Sequence, residues 1–175
     1  MTEWNYFYGA ILIEREYEKS TDFILNGILE KKHFYFHPSL FSTGTLDNSY
    51  FYEDFLFSFG RTVKNFIYET YELQNFIIEF ENILDNLDFT NAQIKINRDY
   101  FRFDLFWLNK LKLSEKEIIE TVEHFKKNEV KYFESEKFFL GLGEVDLQCG
   151  MVLEKSSKEK NSSFEHWYPD FKYPF

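Results

Sequence analysis

The sequence predicts one α+β domain over residues 1–175, a mainly antiparallel sheet with about three helices. Three observations lead there. Strand-length aromatic and branched runs recur along the chain, two stretches carry apolar residues at helical spacing, and no repeat or long linker divides them. With 44% hydrophobic and 29% charged residues, the composition is that of a globular chain. A chain of this length buries about 70% of its unfolded surface, so it needs neither disulfides nor metals to hold its core.

Taken in order, residues 5–13 (NYFYGAILI) read as a buried strand. Ser20-Thr21-Asp22 is a helix start, and Phe23, Ile24, Ile28 and Leu29 continue it at helical spacing to about Lys32. Residues 33–37 (HFYFH) read as a short strand ended by Pro38 and 38–49 as a loop, while 50–59 fit strand or helix, with strand preferred. Over 71–87, Leu73, Phe76, Ile77, Phe80, Leu84 and Leu87 follow the i, i+3, i+4, i+7 rule of an amphipathic helix.

Residues 92–97 and 100–107 form a hairpin around Arg98-Asp99. Phe101, Phe103, Leu105 and Trp107 share one face of its second arm, and Tyr100, Arg102, Asp104 and Phe106 share the other. Ser114 and Glu117 make a capping box, in which each side chain satisfies a free backbone amide. The helix it starts runs to about Lys127 and buries Ile118, Ile119, Val122 and Phe125. A second hairpin is expected from 137–143 and 145–153, followed by a polar loop over Lys155–Ser163.

Charge separates the halves of the chain. Net charge is −10, and residues 1–88 carry 15 acids against 6 bases. From Asn65 to Ile94 there is no lysine or arginine, while Glu69, Glu72, Glu79, Glu81, Asp85 and Asp88 all fall there. Such a field repels nucleic acid and anionic membrane and favours a basic protein partner. No run approaches the 18 apolar residues of a membrane span, and the start, Met-Thr-Glu-Trp-Asn-Tyr, lacks the pattern of a secretory signal. The single cysteine, Cys149, fits a reducing compartment, and the sequence therefore predicts a cytoplasmic protein. Aromatic residues reach 22%, with 23 Phe and 12 Tyr, against two alanines and four arginines. AT-rich codons and ordinary core packing account for much of that bias.

No catalytic motif emerges. G-x-S-x-G, the phosphate-binding P-loop and G-x-G-x-x-G are absent. His33 and His37 are four apart, but on a strand that spacing separates them by roughly 13 Å. Cys149 sits in an apolar run and reads as an inert thiol, and carboxylate pairs such as Glu53-Asp54 or Glu134 and Glu136 are unspecific. No metal, cofactor or catalytic residue is expected.

Two surfaces remain as candidates for a partner. On a wheel of the 71–87 helix, Glu81, Asp85 and Asp88 fall in one row with Ile78 beside it. Like charges so spaced cost a few tenths of a kcal/mol per pair, a loss that a cationic partner or lysines from elsewhere in the fold would remove. Replacing the three by lysine is expected to slow association and leave folding nearly unchanged. The second surface is the aromatic C-terminal stretch from Phe164 to Phe175. Its composition suits packing on its own domain, and Trp167 and Tyr168 are its candidate interface anchors.

In overall character (size, acidity, aromatic richness, an α+β pattern and no chemistry) the chain resembles the immunity proteins of bacterial polymorphic-toxin and contact-dependent growth inhibition systems. The resemblance rests on no single motif. It implies a cognate toxin as partner, possible basic nucleases included, bound by charge and shape complementarity. An acidic adapter or nucleic-acid mimic, and an enzyme with an unrecognised site, are the alternatives.

Overall fold

The computed structural model describes residues 4–43, 55–98, 101–147 and 158–175. Seven strands and four helices are present among them, in one antiparallel sheet and a single α+β architecture. The strands are β1 (Trp4–Ile13), β2 (Phe41–Ser42), β3 (Phe55–Lys64), β4 (Phe89–Arg98), β5 (Phe101–Asn109), β6 (Tyr132–Glu134) and β7 (Phe138–Leu142), and the helices are α1 (Tyr17–Leu25), α2 (Thr70–Leu84), α3 (Glu115–Lys127) and α4 (Lys158–Trp167). The sheet order is β2-β3-β1-β4-β5-β7-β6. No helix among the described residues is long and apolar enough to cross a membrane.

Period-two alternation gives the sheet two different faces. Phe7, Ile11, Phe57, Phe59, Ile94, Ile96, Phe103, Leu105 and Trp107 point to one side, here called inner. There they meet Leu73, Phe76, Ile77, Phe80 and Leu84 of α2, with Ile24 of α1 and Phe164 and Tyr168 from the C-terminal segment. A smaller core lies on the outer side, where Phe125 of α3 packs with Phe106, Leu108, Phe139, Val130 and Val145. Among the described residues it covers the β5-β7-β6 half, and Val145 and Leu147 extend it to Gln93 and Asn91 of β4.

The α2 spacing, the β4–β5 hairpin and the Ser114–Glu117 capping box are all as the sequence predicts; in the box, Ser114 N donates to Glu117 Oε2 at 2.7 Å and Glu117 N to Ser114 Oγ at 3.3 Å. Several expectations need correction. The first helix begins at Tyr17, because Ser20 is not its cap: Ser20 is buried and its hydroxyl accepts from the Asp88 amide at 3.2 Å. Residues 33–37 are not a strand. The Phe34 and Tyr35 amides donate to the Glu79 carboxylate at 2.8 Å each, and Arg61 donates to both carbonyls, so side chains satisfy the backbone where a ladder was expected.

β7 pairs with β6 on its N-terminal side; of the expected second arm 145–153, residues 148–153, Cys149 included, lie outside the described residues. In α3, Ile118, Val122 and Phe125 form one row, while Ile119 lies about 100° away and is 60% exposed. The expected polar loop over Lys155–Ser163 is helix from Lys158 onward, with 155–157 outside the described residues. The strand expected at 50–59 is found at 55–64, with 50–54 likewise outside.

Gly9, in the middle of β1, is closely approached by the backbone of the neighbouring strand. A Cβ there would lie 2.2 Å from the Gln93 carbonyl oxygen and 2.7 Å from the Phe59 ring. The first obstacle is backbone in the neighbouring strand and cannot rotate away. Gly9→Ala is therefore expected to destabilise the domain by about 1–3 kcal/mol, the usual range for overpacking, as measured by urea unfolding against a surface alanine control.

Candidate functional site

The acidic row does not stand free on the surface. Glu81 is only 3% exposed and turned into the core. There its Oε1 accepts from Trp107 Nε1 at 2.9 Å and from the Tyr173 hydroxyl at 2.8 Å. Asp85 pairs with Lys137 at 2.6 Å. Asp88 accepts from the Arg15 and Glu16 amides at 3.1 Å each and pairs with Lys112, which also holds Glu14 at 2.9 Å. Burial alone would raise the Asp88 carboxyl, but Lys112 and the two amides outweigh it and hold it below its ordinary range. Asp88 and Glu14 in turn hold the Lys112 ammonium above its ordinary range.

The wheel misleads for two reasons. The helix ends at Leu84 with Asp85 as its C-cap, so Asp88 leaves its geometry, and the compensating lysines come from the β6–β7 turn and the turn after β5. Ile78 is half-buried beside these groups. Lysine at positions 81, 85 and 88 would bury one cation and break two ion pairs, so that substitution disturbs folding as well as charge.

Trp167 and Tyr168 do not form one exposed anchor either. Tyr168 is 2% exposed and donates its hydroxyl to the Ile67 carbonyl at 2.9 Å; burial pushes its phenol up to about 12. Trp167 is half-exposed and lies on the Arg98 guanidinium, 4.7 Å from the ring centre, while Tyr68 approaches the same guanidinium at 4.1 Å. Arg98 donates to the Ile67 carbonyl as well, at 3.1 Å. Ile67 has φ 48°, a left-handed conformation that is a genuine outlier for a β-branched side chain. Two donors on its carbonyl hold it there. The C-terminal stretch thus packs on its own domain, as its composition predicts.

Two hollows stand out. The first lies on the outer face of the sheet, on the half that α3 leaves open. It encloses about 360 Å³ and is lined by Tyr6, Tyr8, Lys95, Asn97, Arg102 and Asp104, among others. Tyr6 and Tyr8 are 38% and 51% exposed and stack with ring centres 6.3 Å apart at 20°. Asn97 Nδ2 donates to the Tyr6 hydroxyl at 2.6 Å, and Lys95 pairs with Glu144 at the rim. Leu56 on β3 is exposed on the same face. Sequence reading took 5–13 as wholly buried. The alternation Asn5-Tyr6-Phe7-Tyr8 was the available signal, since period two sends both tyrosines outward once Phe7 faces the core.

The second hollow, about 340 Å³, lies on the opposite side of the sheet, between α2, the β6–β7 turn and the C-terminal residues. Glu81, Asn82, Asp85, Ser135, Glu136, Lys137, Phe138 and Phe175 line it. Desolvation pushes the Glu81 carboxyl up to about 7, against the lowering effect of the Tyr173 and Trp107 hydrogen bonds, with Asp85 adding to the rise. Such a carboxyl holds and releases a proton near neutral pH, a property found in binding and catalytic clefts alike. Nothing local in the sequence signals it, because Tyr173 is 92 residues away.

No group of three or more His, Cys, Asp or Glu that could hold a metal occurs among the described residues. His33 lies 4.0 Å from Glu79, and His37 accepts from the Ser39 amide, each within its own local structure.

Glu81 gives folding a defined pH dependence. Its folded-state pKa lies above its ordinary value of 4.5, so its contribution is fully present below pH 4.5 and is lost as pH rises through about 7. Denaturant unfolding of Glu81→Gln and the unaltered chain should therefore diverge with pH. The difference should shift by about 2 kcal/mol in favour of the variant between pH 5 and pH 8.5; parallel profiles would show that Glu81 is solvated.

No protein-family model matches the chain, and no curated protein or solved structure matches it either.

Proposed function

We propose that this chain is an immunity-type protein that acts in the cytoplasm by binding and neutralising a cognate toxin domain, and that it grips this partner with the open tyrosine face of its sheet. The observation that carries the reading is the stacked Tyr6–Tyr8 pair. The rings sit side by side in a shallow hollow, and Asn97 fixes the first of them before any partner arrives. Tyrosine supplies large contact area at low entropic cost, and pre-positioned aromatic residues in a concavity are the usual anchors of protein interfaces. Arg102 and Asp104 offer charges of both signs at the edge.

The net charge of −10 supports a basic partner in a different way from the row on α2. Its individual acids are largely engaged, yet the summed field still draws a cationic surface in and accelerates encounter. A stacked aromatic pair on an open sheet also suits nucleobases. The same net charge opposes that, since phosphate contacts supply most of the affinity for nucleic acid.

The test is co-expression with the product of the adjacent gene, which this reading expects to be a toxin. Growth should be restored and the two proteins should co-elute as a complex. Tyr6→Ala with Tyr8→Ala should weaken the complex by about 10- to 100-fold, the scale of an interface hot spot, with the circular dichroism spectrum unchanged. Association should slow as salt is raised. Absence of both rescue and complex with the unaltered chain would sink the reading, while full affinity in the double variant would move the contact to another face.

A further inference from the structure

We propose that the hollow beside Glu81 is a binding site for an organic ammonium ion carried on an apolar stem. It lies across the sheet from the tyrosine face and does not rest on the toxin reading.

The argument begins with the hydrogen bonds of one carboxyl group. Glu81 is almost completely buried, and both protein donors converge on the same oxygen, Oε1. Oε2 accepts no hydrogen bond from the described residues, although Glu81 lines the hollow. The proton of the neutral form therefore sits on Oε2, and so does the unanswered charge of the ionised form. A buried carboxylate without a cation is costly, and in most folds an arginine or lysine of the same chain answers it. The one lysine that lines this hollow, Lys137, does not, because its ammonium is held by Asp85 at 2.6 Å.

The other charged group of the hollow has the same sign. Glu136, in the β6–β7 turn, forms no ion pair among the described residues, so Glu81, Asp85 and Glu136 outnumber Lys137. From the C-terminal residues, Tyr173 faces Glu81 as a donor, and its phenol is held far above its ordinary range by burial and by Glu81 itself. No group that faces the carboxyl from α2, from the turn or from the C-terminal residues neutralises it.

The walls determine what kind of cation fits. Phe138 and Phe175 line the hollow, and Phe175 is 56% exposed. Aromatic faces attract an ammonium through their quadrupole and accept an apolar stem. The acidic groups of the hollow do not converge as metal ligands do: no group of three or more His, Cys, Asp or Glu that could hold a metal occurs among the described residues. The volume, about 340 Å³, suits a group of amino-acid side-chain or small-amine size. The cation can belong to a free amine or to a lysine side chain of another protein, since both present the same chemistry.

The carboxyl must ionise to bind, so affinity follows its protonation. With a pKa of about 7, apparent affinity should be nearly full at pH 8 and fall about a hundredfold by pH 5.

The experiment follows the Trp107 indole N–H resonance, which reports on Glu81 directly. Phenethylammonium and the peptide acetyl-Gly-Lys-Gly-amide are titrated separately at pH 8 and pH 5, with 2-phenylethanol as the uncharged control. A saturable shift with phenethylammonium, weaker at pH 5 and absent in Glu81→Gln, supports a small-amine site. The same behaviour with the peptide alone supports a receptor for a partner's lysine. Glutamine can still accept from Trp107 and Tyr173, so the variant keeps the fold, and an unchanged remainder of the spectrum verifies that. No saturable shift with either cation at pH 8 overturns the proposal. Binding of 2-phenylethanol as tight as that of the ammonium overturns it too, by showing a merely apolar hollow.

Discussion

One 15-residue helix lies against the inner face of a seven-stranded sheet. It is about 22 Å long and 10 Å wide, while seven strands at their usual spacing extend about 29 Å across. A single helix cannot keep water from that much apolar surface. The remaining cover comes from shorter pieces: α1, the irregular segment around Tyr35 and Phe36, and the C-terminal residues that carry Phe164 and Tyr168. Phenylalanine suits this task because one ring covers a large area from a short backbone attachment. Phe76 touches Phe7, Tyr35, Phe36 and Phe66, and Phe80 touches Phe36, Phe59 and Trp107, so rings rather than a second helix bridge the gaps.

Both hollows arise from the same shortage of helix. On the inner side, closing the edge with an irregular C-terminal segment brings Tyr173 onto Glu81 and seals a carboxyl against Trp107. On the outer side, α3 covers only the half of the sheet that holds Phe106, Leu108 and Phe139. Tyr6, Tyr8 and Leu56 are left outside it.

What could be read in the sequence was what is written locally. The α2 stripe, the alternation along β5 and the Ser114–Glu117 box all depend on neighbours within about seven residues. Each was legible for that reason, and with it the α+β class. The candidate sites were less so. Glu81 lies one turn beyond Ile77 on α2, where the wheel places it on a flank, but its burial is decided by Trp107 and Tyr173. The fate of Asp85 and Asp88 is decided by Lys137 and Lys112. Residues 33–37 have strand composition, yet Glu79 and Arg61 take their backbone groups first. Only the outward tyrosines could have been found by a stricter use of period two.

The C-terminal fastening also sets an order in time. Tyr168 reaches Ile67 across 101 residues, Gln74 reaches Lys172 across 98, and Tyr173 reaches Glu81 across 92. A ribosome adding about 5–20 residues each second takes several seconds to span such a distance. Through that interval the left-handed turn at Ile67 lacks one of its two donors, and Glu81 has Trp107 but not Tyr173 as a donor. The sheet through β5 and α2 can assemble early, but the hydroxyl of Tyr173 reaches Glu81 only after residue 173 is made. These three long-range bonds are therefore the last to close over the inner face.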